Sequence, residues 1–201
     1  MITIIDYGVG NIKAFSHVFD SNNIEYKIAS SKSGLCDASR IIFPGVGSFD
    51  NAMSLLNKSG MRDILEKLVI CEEVPILGIC VGMQMFANRS EEGKLDGLGW
   101  INADVCKFKP INDFPVPHMG WNNLNSFNDH RILDSLSDNS LFYFLHSYYF
   151  NSNDSKNVLA ESDYGIMFNS MVVQNNIIGV QFHPEKSHNS GTRLLINFNL
   201  I

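Results

Sequence analysis

The sequence predicts an α/β fold, a doubly wound and mostly parallel sheet with an antiparallel extension. Three observations predict it. Short apolar runs rich in Ile, Val and Phe recur with amphipathic stretches between them, the pattern of βαβ units. The run over residues 75–79 passes directly into a helical pattern between paired glycines, and beyond Trp100 the pattern gives way to short strands and turns. Residues 2–5 form the first strand. Residues 10–20 follow as a helix, because Ile12, Phe15, Val18 and Phe19 recur at the spacing that builds one apolar face. Strands over 24–29 and 40–43 come next, then a helix over 61–69, the buried strand over 75–79 and a helix over 81–88. In the second half strands are expected at 101–108, 141–150, 158–161, 171–174 and 177–182, more antiparallel in character, with a final helix over 192–198. Polar segments rich in Asn, Ser and Asp at 125–138 and 151–157 read as loops. With no internal repeat and no low-complexity linker, residues 1–201 are expected to form a single domain.

Of the 201 residues 45% are hydrophobic and 11% aromatic, which excludes disorder, collagen and coiled coil. Lys and Arg total 15 against 21 Asp and Glu, a formal charge of -6. A mildly acidic chain with no basic run is a poor match for nucleic acid. Met1-Ile2-Thr3-Ile4-Ile5-Asp6 has no basic region before its apolar run, and the run stops at an acid. Neither a signal peptide nor a membrane span is therefore expected, and the cytoplasm is. The four cysteines, Cys36, Cys71, Cys80 and Cys106, include no Cys-x-x-Cys pair. That spacing argues against a zinc site or a disulfide framework and for free thiols in a reducing compartment. No metal and no cofactor is expected.

The chemistry concentrates in Gly78-Ile79-Cys80-Val81-Gly82-Met83-Gln84. Glycines two residues either side of Cys80 allow a tight, strained strand-to-helix turn that lifts the side chain above the sheet, a nucleophile elbow with sulfur in place of hydroxyl. The helix N-terminus favours thiolate, and the Val81 N–H is free to receive an oxyanion. Cys71 and Cys106 read as buried structural cysteines. A thiol of ordinary pKa is only a few per cent thiolate at neutral pH, so it needs a base, most simply a histidine oriented by a carboxylate. Of the six histidines, His183 alone sits in a suitable stretch, Gly179-Val180-Gln181-Phe182-His183-Pro184-Glu185. Pro184 holds His183 extended. Residues i and i+2 of an extended segment face the same side, so Glu185 can orient the imidazole. The competing readings are a strand-end histidine bonded to backbone and a solvated glutamate. A second oxyanion donor is expected from Ile41-Ile42-Phe43-Pro44-Gly45-Val46-Gly47-Ser48, where glycines around Val46 let an amide of Val46 or Gly47 point into the site. Loss of one such donor costs about 3–4 kcal/mol of transition-state stabilisation. Asp6-Tyr7-Gly8-Val9-Gly10-Asn11 also follows a strand, but Lys13 takes the place of the third glycine of a dinucleotide fingerprint and no acid follows at the required distance. A Rossmann cofactor site is rejected.

Together the Cys80 elbow, the Pro44-Gly45-Val46-Gly47 turn and the His183-Pro184-Glu185 stretch resemble the class I glutamine amidotransferases. Asp6-Tyr7-Gly8-Val9-Gly10-Asn11, Pro117-His118-Met119-Gly120-Trp121-Asn122, His146-Ser147-Tyr148 and Phe182-His183-Pro184-Glu185-Lys186-Ser187 resemble, along the whole chain, the glutaminase subunits of imidazole glycerol phosphate synthases. The resemblance implies a flavodoxin-like three-layer fold and a triad of Cys80, His183 and Glu185. Cys80 attacks the side-chain amide of glutamine to give a thioester and ammonia, and water then releases glutamate. It also implies that Gly47, Gln84, His146, Ser147 and Tyr148 hold the glutamine, Ser147 and Tyr148 through backbone groups. Asn11, Trp121 and Tyr143 are implied to lie near the surface that meets a synthase partner. Read from the residues alone, His146 is equally a packing histidine in an aromatic run, Asn11 a helix cap, and Trp121 and Tyr143 core aromatics. One departure is Lys186-Ser187-His188, where the family more often continues with Gln. It leaves the triad intact and bears on the partner surface.

The resembling stretches run from Asp6 to Ser187, so a further domain that binds an ammonia acceptor is not expected in this chain. The resemblance therefore implies a heterodimer with a (β/α)8 cyclase barrel. That barrel takes ammonia through a channel, because ammonia released to neutral water is mostly protonated. It uses the ammonia to make imidazole glycerol phosphate and AICAR in histidine biosynthesis. A Val46 amide misoriented at rest would make hydrolysis wait for the partner. Two other readings stay open, the same glutaminase chemistry feeding a partner that modifies surface sugars, and a catalytically silent scaffold of the same fold. Gln84 and the synthase-like stretches weigh against a peptidase.

Overall fold

The computed structural model describes residues 1–110, 114–137 and 139–201, with the backbone alone for residues 126 and 127. In chain order the strands are β1 (Ile2–Ile5), β2 (Tyr26–Ala29), β3 (Ile41–Gly45), β4 (Ile76–Cys80), β5 (Arg89–Ser90), β6 (Ala103–Lys107), β7 (His118–Asn123), β8 (Ser126–Phe127), β9 (Leu141–His146), β10 (Tyr148–Ser152), β11 (Val158–Asp163), β12 (Met167–Gln174) and β13 (Ile177–Val180). The helices are α1 (Ile12–Ser21), α2 (Lys32–Leu35), α3 (Phe49–Ser59), α4 (Arg62–Glu66), α5 (Val81–Gln84) and α6 (His188–Leu200).

The main sheet runs β2-β1-β3-β4-β13-β12-β10-β6-β5, with β11 and β8 attached through β12. Strands β2, β1, β3, β4 and β13 pair in parallel, and from β12 to β6 the pairing turns antiparallel. This is the parallel sheet with an antiparallel extension that the sequence pattern requires. Every residue of β1, β3 and β4 is buried, as expected of parallel strands covered on both faces. α1 starts where Asn11 accepts a hydrogen bond from the Ala14 N–H, and it buries Phe15 and Phe19.

Several boundaries differ from those expected from the sequence. The helix expected over 81–88 stops at Gln84. The carbonyls of Met85, Phe86, Ala87 and Asn88 are taken by the amides of Leu98, Ile101, Gly99 and Gly97, which cross over this segment. The strand expected over 141–150 breaks at Ser147, and its halves serve different sheets. β9 pairs with β7, whereas β10 pairs with β6 and β12. β7 escaped the sequence reading because Gly120 and three polar side chains interrupt its apolar alternation. α3 was likewise missed, although Phe49, Ala52, Met53 and Leu56 keep helical spacing and Gly60 ends it at φ 70°. The expected loop over 125–138 contains β8 and a 3-10 turn at Arg131–Leu133, and residue 138 lies outside the described residues. The loop expected over 151–157 is taken up by the end of β10 and a 3-10 turn at Ser155–Asn157. Cys71 is exposed and Cys106 half-buried, not the buried structural cysteines expected.

The end of β3 and the start of α5 are in direct backbone contact. A Cβ on Gly45 would lie 2.2 Å from the Gly82 nitrogen, and a Cβ on Gly82 would lie 2.1 Å from the Phe43 carbonyl oxygen. Backbone cannot yield as a side-chain tip does, so Gly82→Ala should lower stability by about 2 kcal/mol or more through overpacking. Gly47, at φ 85° with open space around its Cβ position, carries only the left-handed penalty of about 1–2 kcal/mol. Urea midpoints of the two alanine variants check this, and a Gly82→Ala variant no less stable than Gly47→Ala would refute the contact.

Candidate active site

β4 lies between β3 and β13, and all three are parallel, so their C-terminal ends come together where open α/β sheets collect ligands. The register sets Gly45 beside Cys80 and Val180 beside Ile79. Three stretches far apart in sequence therefore meet at the end of β4. Cys80 itself stands at φ 55°, ψ -112°, between the last strand residue and the first turn of α5. A residue with a Cβ rarely adopts this backbone, and here it directs the sulfur off the sheet. The Cys80 Sγ lies 3.7 Å from Gln181 Nε2 and 3.9 Å from the Leu145 carbonyl oxygen.

His183 reaches the same point from the far side. Its Nδ1 is 2.9 Å from Glu185 Oε1, and both side chains are buried. The contact is made differently from the extended geometry expected. His183 is extended, but Pro184–Lys186 form a 3-10 turn that folds Glu185 back onto the ring. Backbone bonds hold the histidine in place. Its N–H donates to the Tyr143 carbonyl at 2.8 Å, and its carbonyl accepts from Ser187 Oγ at 2.6 Å, while that hydroxyl accepts from the Tyr143 N–H at 2.9 Å. Burial opposes charge on His183, but the negative charge and hydrogen bond of Cys80, then Glu185, overcome it and raise the imidazole from 6.5 to about 10. With Nδ1 on Glu185, Nε2 is left for Cys80. The arrangement sets an imidazolium, held by Glu185, beside the Cys80 sulfur, where it can protonate a leaving amine.

A cleft of about 450 Å³ opens over Cys80, its walls including Val46, Gly47, Val81, Gln84, Glu92, His146, Ser147, Tyr148, His183 and Lys186. Every cleft residue named from the sequence except Glu185 thus lines it, and Glu185 sits behind His183. His146 is both things the sequence left open, since it packs against Phe108, Phe144 and Phe168 and also lines the cleft. Asn11 caps α1 and is exposed.

Residues 3–201 match the family model described as Glutamine amidotransferase class-I. The chain belongs to that family. It is 49% identical over 201 residues to the "Imidazole glycerol phosphate synthase subunit HisH" of Leptospira borgpetersenii, covering 98% of each chain. It is 48% identical over 204 residues to the protein of the same name from Bdellovibrio bacteriovorus, covering 100% of each. Among solved structures, a glutamine amidotransferase from Thermotoga maritima superimposes with TM-score 0.67 at 17% identity, over 98% of this chain and 81% of that one. That likeness is one of fold.

Beside the cleft, and reaching it at Leu145, this amidotransferase carries an apolar face on the β7–β9 ribbon. Trp121 pairs with Tyr143 and Met119 with Leu145 across the two strands. Met119, Trp121, Leu141 and Leu145 are exposed, Trp121 by 46%. Trp121 stacks on His188 with ring centroids 5.1 Å apart. The core placement considered for Trp121 and Tyr143 does not occur. The sequence assigns no role in the site to Gln181, Ser187 or Glu92. Gln181 was detectable, since it faces the same side as His183 in an extended segment. Ser187 and Glu92 had no such signal. Glu92 enters the cleft wall because its Oε2 accepts from the Phe49 N–H at the start of α3, at 2.8 Å.

Because the native His183 pKa lies above that of an unfolded histidine, its contribution to stability is complete below pH 6.5 and fades as pH rises towards about 10. Imidazole NMR should find His183 protonated through neutral pH and its midpoint lowered in Cys80→Ala. An unchanged midpoint in that variant would show that Cys80 does not supply the charge.

Proposed function

We propose that this chain is the glutaminase subunit of an imidazole glycerol phosphate synthase, working in histidine biosynthesis in the cytoplasm as one amidotransferase domain. The observation that carries the reading is the buried Cys80–His183–Glu185 array at the floor of the cleft, in a chain similar over its whole length to HisH subunits. Among the described residues no helix is long and apolar enough to cross a membrane.

Cys80 thiolate adds to the side-chain carbonyl carbon of glutamine. The N–H of Val81 and an amide of the Val46–Gly47 turn receive the oxyanion as its charge develops. The His183 imidazolium gives its proton to the departing nitrogen, ammonia leaves, and a thioester remains. The neutral imidazole then takes a proton from water as it attacks, and glutamate leaves with Cys80 restored. Gly47, Gln84, His146, Ser147 and Tyr148 hold the amino-acid end of glutamine. Glu92 is the acidic side chain on the cleft wall and faces its ammonium.

The ammonia passes to a (β/α)8 cyclase barrel, which docks on the apolar β7–β9 face around Trp121 and Tyr143, with Asn11 at its edge. A cluster of exposed Met, Leu and Trp side chains on one small ribbon is the kind of surface that a partner covers. The turn at Gly45, Val46 and Gly47 is the element whose amide direction that docking controls.

Glutamate release by the purified chain, alone and with a cyclase barrel plus its nucleotide ligand, tests this reading with Cys80→Ala as blank. The barrel should activate hydrolysis strongly, and the activity should vanish in the variant. Hydrolysis indifferent to the barrel would move the acceptor elsewhere, and no hydrolysis in any mixture would leave a scaffold. In the active complex Glu92→Gln should raise the KM for glutamine about tenfold with little change in kcat, the signature of lost ground-state binding.

A further inference from the structure

We infer that His118 is a positioning residue for the glutamine site: through His146 it fixes the Tyr148 carbonyl, and through that carbonyl it fixes which atom of Gln84 faces the substrate. The inference rests on the reading of Gln84 as a glutamine contact.

His118 and His146 are register partners on β7 and β9, both buried, with His118 Nδ1 3.0 Å from His146 Nε2. The other nitrogen of His146, Nδ1, is 2.8 Å from the Tyr148 carbonyl oxygen. A carbonyl only accepts, so His146 carries its proton on Nδ1 and its Nε2 is an acceptor. His118 must then carry its proton on Nδ1, and its Nε2 is left to accept from Asn122 Nδ2 at 3.5 Å. Asn122 Nδ2 also donates to the Asp163 carbonyl at 2.8 Å. Each bond dictates the next.

The Tyr148 oxygen has a second donor, Gln84 Nε2 at 3.0 Å, and the same Gln84 nitrogen donates to Gln181 Oε1 at 3.1 Å. Gln181 in turn directs its Nε2 at the Cys80 sulfur. With both amide protons of Gln84 engaged, its carbonyl oxygen is the atom available to a donor on the substrate. The chain of bonds is consistent only if both imidazoles are neutral, since a proton added to either sets two N–H groups face to face. Burial lowers His146 from 6.5 to about 3 and His118 to about 4. The His118 ring is further held between Tyr164 and Phe144, at centroid distances of 3.9 Å and 4.7 Å. β7 is thus two-sided, with Met119 and Trp121 turned outward and His118 and Asn122 turned to this network.

Two measurements test the relay. Nitrogen NMR of the imidazoles in the intact chain should show His146 and His118 neutral at pH 7 with the proton on Nδ1 in both. A proton on Nε2 of His146 would overturn the relay. In the complex with the barrel, His118→Phe keeps the ring stack and removes the donor, whereas His118→Asn keeps an N–H near the Nδ1 position. His118→Phe should raise the KM for glutamine about tenfold with kcat within about threefold, and His118→Asn should recover most of that loss. Gln84→Ala serves as the reference. If it raises KM and His118→Phe does not, the relay fails and the reading of Gln84 stands. If Gln84→Ala leaves KM unchanged, both fall. Equal losses in the two His118 variants, accompanied by a lower melting temperature, would reduce His118 to packing and overturn its positioning role.

Discussion

The left-handed backbone at Cys80 is the constraint on which the rest of the site depends. A residue with a Cβ at φ 55° is strained. The strain persists because β4 is fully buried between two parallel neighbours and cannot relax without breaking both ladders. Its result is that the strand turns into α5 within one residue and the sulfur leaves the plane of the sheet. The same sharp turn pushes the first residues of α5 against the end of β3, where only glycine fits on either side of the contact. The Cys80 sulfur, the Val81 amide and the Val46–Gly47 turn are therefore placed by one packing event, not by three independent loops.

Charge in the cleft is partitioned by surroundings and not by residue type. His183 and His146 both line it and both are buried, yet their protonation is pushed in opposite directions. His183 has Cys80 and Glu185 as partners, and the attraction exceeds the cost of burial. His146 has aromatic rings, a carbonyl and another neutral imidazole, so desolvation wins. A charged imidazole and a neutral one are thereby built into the walls of the same cleft.

The β7–β9 ribbon joins these two regions. Its backbone at Tyr143 clamps His183 and Ser187, its inner side chains His118 and His146 meet beside the cleft, and its outer side chains form the apolar face. The apolar face thus belongs to a strand pair whose backbone also holds His183.

Much of this was legible along the chain. The parallel half of the sheet follows from apolar runs such as Ile2–Ile5 and Ile76–Cys80, whose composition suits burial on both faces. Cys80 could be singled out because glycine spacing is a local requirement of the elbow, and His183 because Pro184 and Glu185 adjoin it. Short-range covalent constraints act within a few residues, and the sequence displays them directly. What only the tertiary structure decided depends on pairing between distant segments. The division of residues 141–150 into two strands reflects which partners β9 and β10 find. The truncation of the helix after Gln84 reflects amides arriving from residues 97–101. Glu92 reaches the cleft by capping a helix that begins at Phe49, and His118 meets His146 through strand register. Side chains brought together by long-range register leave no periodic trace in either segment, so only the folded chain reveals them.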